Sequence, residues 1–246
     1  MSAPASLDDV RAALTDRLAE SQAAWLDEVR GRVASEPGAI ATLFPAVGRG
    51  LGRGPLESSL PGLHGWTVDD AGRALLLASL PRTPQDVAEE ARALYRYGDA
   101  AERRGVLRAL GVLDPGASAV DVCEDALRTN DTRLVAAALG PYARYLDDAA
   151  WRHGVLKCVF LGIPLAAVAG LDARADAELA RMLADYARER VAAGRDVPED
   201  VWRVADRFPE VVAASGIDDE LASPVPERRE AARRALQHRT TPTREH

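Results

Sequence analysis

Apolar residues recur at helical spacing along most of the chain, and no stretch shows the strict alternation of a half-buried strand. The first helical stretch runs from about Leu7 to Val33. Later helix starts are indicated by capping patterns at Thr67 with Asp70, Thr83 before Pro84, Asp99 with Glu102, Ser118 with Asp121, Asn130 or Asp131, Asp147, Asp172 and Pro198. The pattern therefore predicts an all-α protein.

The predicted helices are short and are joined by short turns, which favours antiparallel helical hairpins stacked in series. We expect an irregular HEAT-like α-solenoid, because no strict repeat is visible in the letters, and a closed helical bundle is the alternative. The expected organisation is one all-helical domain over 1–222, with an N-terminal helix over 6–45, a Gly/Pro-rich connection over 48–66, helical repeats over 67–222, and a mobile Arg-rich tail over 223–246.

Composition and charge narrow the class of protein. With 246 residues of which 47% are hydrophobic, the chain can bury a sizeable core. The formal net charge of −7 argues against a general nucleic-acid binder. The longest apolar run, Cys158 to Leu171, contains Gly162 and Pro164 and is shorter than the roughly 20 residues of a membrane span. The two cysteines do not form a disulfide framework, and the N-terminus has no signal-peptide pattern, so we expect a cytoplasmic protein.

Motifs for metal, nucleotide or nucleophilic chemistry are not found. The glycine run from Gly48 to Gly54 lacks the strand and the Gly-Lys-Ser/Thr ending of a phosphate loop, so it predicts a linker. Cys123, Cys158 and His153 lack the paired spacing of zinc sites. The carboxylates are scattered along helix faces, where a solvated surface is the default interpretation. We therefore expect no metal, no cofactor and no catalytic residue.

Lys157 is the only lysine in the sequence, and it lies in an apolar helix predicted over 151–161. A lone buried ammonium is costly, so Lys157 either reaches the surface, pairs with an acid in the core, or lines a polar pocket. His153 lies one helical turn before it on the same side, although a histidine at such a position is more often a hydrogen-bonded core residue. Both residues are candidates for ligand binding.

Asn130 is the only asparagine, in the stretch Arg128-Thr129-Asn130-Asp131, where one predicted helix ends and the next begins. Asparagine is a common N-cap, yet this chain uses Asp, Ser and Thr for its other caps. A side-chain amide that both donates and accepts hydrogen bonds is the second explanation. We include Asn130 and Arg128 among the ligand-binding candidates and expect Asn130 to share a polar interior with Lys157.

Several motifs occur together in the second half of the chain: Arg-Thr-Asn at 128–130, Trp151 before an apolar helix with Leu156-Lys157, Pro164-Leu165, Gly170-Leu171 and Met-Leu-x-Asp-Tyr-Ala-x-Glu-Arg at 182–190. In this combination the sequence resembles the EboA family of bacterial metabolite-traffic proteins encoded in ebo operons. The resemblance is closest over 121–202, and 98–114 and 43–56 also resemble the family. Relatives often carry Asn-Pro-Tyr where this chain has Gly140-Pro141-Tyr142, and Asn-Gln where it has Arg152-His153, which weakens His153 as a family-wide site residue.

The resemblance implies a role in moving or handling a small metabolite precursor, either cyclitol-like or prenylated. It implies partners among the other ebo operon proteins, including a membrane prenyltransferase, and a location that is cytoplasmic or peripheral to the inner membrane. It supplies no catalytic mechanism.

Three functions are compatible with these observations. The leading hypothesis is a non-enzymatic binding or scaffold protein that passes a metabolite between partners, with Lys157, Arg128 and Asn130 donating hydrogen bonds to the ligand. The first alternative is an enzyme that uses Lys157 as an activated amine in a buried pocket. The second alternative is a pure protein-docking module.

Overall fold

The computed structural model describes residues 5–81, 83–237 and 239. In this part of the chain all regular elements are helices, and the only strand-like feature is an isolated antiparallel bridge between Pro55 and Thr67. The all-α prediction is confirmed. The α-helices are α1 (Leu7–Thr15), α2 (Glu20–Ser35), α3 (Ile40–Gly50), α4 (Val68–Ala78), α5 (Pro84–Tyr97), α6 (Ala100–Leu113), α7 (Val120–Arg128), α8 (Thr132–Ala138), α9 (Asp148–Leu161), α10 (Leu171–Arg174), α11 (Ala177–Ala192), α12 (Asp200–Ala205), α13 (Pro209–Ala214) and α14 (Pro226–Gln237).

The chain divides into two compact units, Met1–Trp151 and Arg152–His246, where we expected a single domain over 1–222. In the first unit the central helix is α4, which packs against α1, α2, α3 and α6 and is buried on all sides from Val68 to Leu77. The choice between solenoid and closed bundle stays a prediction.

The N-terminal stretch is broken into separate helices, so the prediction of one continuous helix over 6–45 is wrong. The break between α1 and α2 ends at Ala19, whose backbone is extended and whose N–H donates to Gln22 Oε1 at 2.9 Å. The side-chain amide of Gln22 also donates to the carbonyl of Leu51 at 2.9 Å. This pairing with a distant residue is a tertiary contact that helical spacing does not reveal.

The Gly/Pro-rich stretch begins as helix, because α3 continues to Gly50 and includes the first residues of the predicted connection over 48–66. Gly50 is needed for packing, since an added Cβ would lie 2.6 Å from the ring of Trp25 on α2. The remaining loop is anchored by the buried side chains of Leu51, Leu56 and Trp66. It is therefore a packed segment of the first unit.

In the second unit α11 contacts α12, α13 and α14. The N-cap of α11 is Asp176, which accepts from the N–H of Leu179 at 2.9 Å, while Asp172 belongs to the short separate helix α10. The expected long helix from Asp172 is thus interrupted, because Ala175 adopts an extended backbone.

The predicted tail is helical over much of its length. Helix α14 packs against α11 through the buried small side chains of Ala231, Ala232 and Ala235, which allow a close approach despite the arginine-rich sequence. Residues 238 and 240–246 of the predicted tail lie outside the described residues. Within the described residues, no helix combines the length and apolarity needed to cross a membrane.

Candidate functional site

The centre of the first unit contains an ion pair within a single helix. Asp69 and Arg73 lie one turn apart on α4, and Arg73 Nη1 donates to Asp69 Oδ2 at 2.5 Å. Both side chains are fully buried. The guanidinium carbon of Arg73 also lies 5.6 Å from the ring centroid of Phe44, a cation–π distance. A charged pair is thereby built into the core of the unit.

A second buried carboxylate, Asp70, is held by two arginines from α6. Arg104 Nε donates to both carboxylate oxygens of Asp70, at 3.0 and 3.1 Å, and Arg104 Nη2 donates to Thr67 Oγ1 at 2.8 Å. Arg108 Nη1 lies 3.1 Å from Asp70 Oδ2 and its guanidinium stacks over Trp66. We call Asp69, Asp70, Arg73, Arg104 and Arg108 the arginine–aspartate cluster.

Glycines on three helices allow close packing around the cluster, and two of them lie directly against Arg73. An added Cβ on Gly105 of α6 would lie 2.7 Å from Arg73 Cδ, and one on Gly48 of α3 would lie 3.4 Å from Arg73 Nη2. On α4 itself, a Cβ on Gly72 would lie 2.4 Å from Leu51 Cδ1. The close approach of α3, α4 and α6 therefore depends on these three positions.

The arginine–aspartate cluster has more positive than negative groups, since three guanidinium groups face two carboxylates. Nη2 of Arg73 is buried and has no hydrogen-bond acceptor among the described residues. Nη1 of Arg108 is within ion-pair distance of Asp70 but does not meet hydrogen-bond geometry. Buried donors without acceptors are unfavourable, so the cluster is suited to an additional anion.

Burial and neighbouring charges shift the pKa values of Arg108 and Asp99. Burial lowers the pKa of Arg108, and the adjacent carboxylate of Asp70 partly offsets this effect. For Asp99, the N-cap of α6, burial acts to raise the pKa. Hydrogen bonds from backbone N–H groups and the nearby Arg53 and Arg73 outweigh it, so the pKa is lowered overall. The surroundings thus favour the charged form of Asp99, whereas burial works against the charged form of Arg108.

The four residues singled out from the sequence are not buried together in a core. Lys157 on α9 is half-buried, whereas His153, one turn earlier, is exposed. Asn130 is exposed in the loop between α7 and α8, and the N-cap of α8 is Asp131. Arg128, with 73% of its side chain exposed, lies 4.0 Å from Asp125. Their assignment to ligand binding stays a prediction.

A surface cleft of about 400 Å³ lies in the second unit. Its lining residues are Val159, Gly162, Ile163, Pro164, Pro198, Glu199 and Asp200. The carboxylate of Asp200 accepts from the backbone N–H of Leu165 at 2.7 Å, so it fixes the turn after α9. This hydrogen bond gives Asp200 a structural explanation.

The cysteines are unsuited to nucleophilic chemistry. Cys123 and Cys158 are both buried, and burial raises the pKa of each thiol to about 12. Thiolate is the reactive form of cysteine, so both are unreactive near neutral pH. Among the described residues no group of His, Cys, Asp and Glu side chains is arranged to hold a metal ion.

The comparison with protein families covers most of the chain. The model described as metabolite traffic protein EboA matches residues 7–206. The chain belongs to the EboA family. This match confirms the resemblance seen in the sequence, and it includes the whole arginine–aspartate cluster. No curated protein and no solved structure matches the chain.

Sequence reasoning missed the arginine–aspartate cluster of this EboA protein. The interpretation of its carboxylates as solvated helix-surface groups is wrong for Asp69 and Asp70, which are fully buried. One signal was available in the sequence VDDAGRALLLA of α4, where Asp69 and Arg73 have ion-pair spacing and Asp70 is the only other charged residue. Arg104 and Arg108 repeat the same spacing on α6. What the sequence could not reveal is that the two helices pack against each other.

Proposed function

We propose that this EboA protein is a non-enzymatic binding protein that holds a small polar metabolite with an anionic group and passes it between partners. The family supports the general role in metabolite traffic. The observation that carries the more specific proposal is Nη2 of Arg73, a buried donor without an acceptor among the described residues. It belongs to a cluster with an excess of positive charge, which an anionic ligand would balance.

The chemistry of the cluster favours binding over catalysis. Arginine does not lose its proton in proteins, so Arg73, Arg104 and Arg108 can donate hydrogen bonds but cannot act as bases. The carboxylates of Asp69 and Asp70 are each already engaged in hydrogen bonds from arginine. A site of this kind recognises charge and shape and leaves the bound compound unchanged.

The identity of the metabolite and its partners forms the finer part of the proposal. Its source is the family resemblance, which suggests a cyclitol-like or prenylated precursor handled with other ebo operon proteins, among them a membrane prenyltransferase. A phosphorylated or carboxylated form of such a precursor would supply the anionic group. The proposed location is cytoplasmic or peripheral to the inner membrane.

A protein-docking module is the second candidate function. It is favoured by the exposure of Arg128 and Asn130 in the first unit, which makes both accessible to a partner; His153, in the second unit, is also exposed. Docking and metabolite binding are compatible, because these residues are separate from the arginine–aspartate cluster in the sequence. The enzyme alternative depends on Lys157 acting as an activated amine.

Retention of a metabolite tests the leading proposal. The protein is purified from cells that contain its natural metabolites, denatured, and the released small molecules are measured by mass spectrometry. Arg73→Lys keeps the positive charge but replaces the guanidinium by a single ammonium, so the Nη2 donor is lost. We therefore expect roughly tenfold less of the released anionic compound. Arg49→Lys is the matched control, because Arg49 is exposed on α3.

The proposal fails if the wild-type protein releases no compound in excess of an unrelated purified protein. It also fails if Arg73→Lys has the circular dichroism spectrum of the wild type and releases the same amount. Arg108→Lys provides a second test in case Arg73→Lys does not fold, because the side chain of Arg108 is 16% exposed and tolerates change better.

A further inference from the structure

The end of α9 forms one wall of the surface cleft in the second unit. Gly162 has a φ of +69° just after the helix, and the N–H of Ile163 turns back to donate to the carbonyl of Cys158 at 2.8 Å. Val159, Gly162, Ile163 and Pro164 all line the cleft. The cleft is therefore bounded by the carboxyl end of a 14-residue helix, where the helix dipole is negative.

Two backbone carbonyls at this end of α9 lack their ordinary helical donors. Each carbonyl of an α-helix accepts from the N–H four residues later. For Phe160 this residue is Pro164, which has no N–H. For Leu161 it is Leu165, whose N–H donates instead to Asp200 Oδ2 at 2.7 Å. The end of the helix therefore presents hydrogen-bond acceptors beside the cleft.

The charged side chains that line the cleft are both acids. Glu199 is exposed and Asp200 is partly buried, and none of the lining residues is basic. Lys157 belongs to the same helix as Val159 but is not a lining residue. The negative charge of Asp200 is felt on α9, since it adds to the effect of burial in raising the pKa of the Cys158 thiol. The carboxylates and the helix end together favour a positively charged group.

The remaining walls of the cleft are apolar. They are formed by Val159, Ile163, Pro164 and Pro198, and the volume of about 400 Å³ lies within the roughly 300–1,000 Å³ of small-molecule sites. Apolar walls favour a hydrocarbon group, because its burial removes apolar surface from water. The lining thus matches a molecule that has a cationic head and an apolar part.

We propose that this cleft binds a small organic amine. Its ammonium group donates hydrogen bonds to the carboxylates of Glu199 and Asp200 and to the carbonyl end of α9, and its hydrocarbon part lies against the apolar walls. This inference goes beyond the proposed function, because the carboxylates of the cleft would repel an anionic metabolite. It assigns to the second unit a separate ligand of the opposite charge.

A chemical-shift titration of the full-length protein tests the site. The probe is n-hexylamine, which is positively charged at neutral pH as a lysine side chain is, and it is compared with hexanoate and methylamine at low ionic strength. We expect hexylamine to saturate one site per chain and to shift the amide signals of Gly162, Ile163 and Leu165. Hexanoate should bind roughly tenfold more weakly or worse because its charge is reversed, and methylamine because it has almost no hydrocarbon part.

Two variants test the role of the carboxylates. Asp200→Asn keeps a side-chain oxygen for the N–H of Leu165 but removes the charge, and Glu199→Gln removes a charge at an exposed position. We expect each variant to lower the affinity for hexylamine roughly fivefold. Glu210→Gln is the matched control, because it removes the same charge from an exposed position on α13 in the same unit and should bind hexylamine as the wild type does.

Several outcomes would overturn the assignment. Equal affinities for hexylamine and hexanoate would contradict a cation site, and the absence of saturable shifts around Gly162 would contradict the cleft. Wild-type affinity in both carboxylate variants would contradict their role as acceptors. If circular dichroism shows that Asp200→Asn has lost helix, Glu199→Gln decides alone. The proposed function is tested separately by Arg73→Lys, since none of these variants lies in the arginine–aspartate cluster.

Discussion

Asp69 and Arg73 form a fully buried ion pair one turn apart on α4, with Arg73 Nη1 2.5 Å from Asp69 Oδ2. A pair that is removed from solvent in this way adds little net stability compared with apolar residues of similar size. Its presence at the centre of the first unit is therefore better explained by a requirement for buried charge. The proposed anion site gives a reason for that requirement.

Loss of the carboxylate should be far more damaging than loss of an exposed one. Asp69→Asn leaves the buried guanidinium of Arg73 without its countercharge, and we expect the free energy of unfolding to fall by about 3–5 kcal/mol. Urea unfolding followed by circular dichroism measures this change. Asp8→Asn is the control, because Asp8 is 88% exposed and its ion pair with Arg11 contributes little. Similar destabilisation by both variants would contradict the burial of the pair.

Two glycine substitutions should have opposite effects. Gly105→Ala adds a methyl group 2.7 Å from Arg73 Cδ, so we expect a loss of about 1–3 kcal/mol from overpacking. Gly31→Ala adds one on α2 with no atom within 4 Å, and should stabilise the helix by about 0.5–1 kcal/mol. Thermal or urea unfolding of both variants checks the signs. Stabilisation by Gly105→Ala would mean that α4 and α6 are not this close.

The second unit should show a specific dependence on acid. Arg152 donates to Asp176, and this hydrogen bond lowers the pKa of the carboxylate below its ordinary value of 3.8. Because the folded pKa is the lower one, the charged form stabilises the fold above that ordinary value, and the effect is lost as the pH falls through the folded pKa. Asp176→Asn keeps a capping side chain for α11 and removes the charge.

We therefore expect Asp176→Asn to be less stable than the wild type at pH 7, with a difference that shrinks as the pH falls below 3.8. Urea midpoints measured across this pH range test the expectation. Asp172→Asn serves as the control, because its ion pair with Arg203 is exposed and its loss should change the midpoint little. A difference that grows on acidification would show that the sign is wrong.

Substitution of the only lysine separates the candidate sites. Lys157→Arg keeps a positive charge on α9, and if the ligand binds at the arginine–aspartate cluster, the retained metabolite should stay within about twofold of the wild type. Mass spectrometry of released compounds measures it. Loss of the metabolite from a folded Lys157→Arg protein would support Lys157 as a ligand-binding residue. Borohydride trapping of a carbonyl compound on Lys157 would support the enzyme alternative.

Local signals predicted several helix starts correctly. The N–H of Asp86 donates to Thr83 Oγ1, that of Glu102 to Asp99 Oδ1, and that of Ala150 to Asp147 Oδ1. These caps involve residues within one turn, so they are legible in the sequence. The break before α2 was missed although one of its contacts is local, the hydrogen bond from the N–H of Ala19 to Gln22 Oε1. The hydrogen bond from Gln22 to the carbonyl of Leu51 depends on the tertiary structure.

Rarity in the sequence was a weaker guide to the site than burial in the fold. Lys157 and Asn130 attracted attention because each is unique, but Asn130 is exposed and Lys157 is only half-buried. Arg73 is one arginine among many, and only its surroundings distinguish it. The glycine run over 48–54 was interpreted as a linker, whereas Gly48 and Gly50 are packing positions on α3.

The sequence by itself determined the helical class, several of the helix caps and the membership in the EboA family, since each depends on neighbouring residues or on shared motifs. The tertiary structure decided which charges are buried. Asp69 and Arg73 have the same spacing as many solvated pairs, and they become a buried site because α3 and α6 approach α4 closely at Gly48 and Gly105. Burial is a property of the assembled helices, and it is burial that gives these charges their energetic weight.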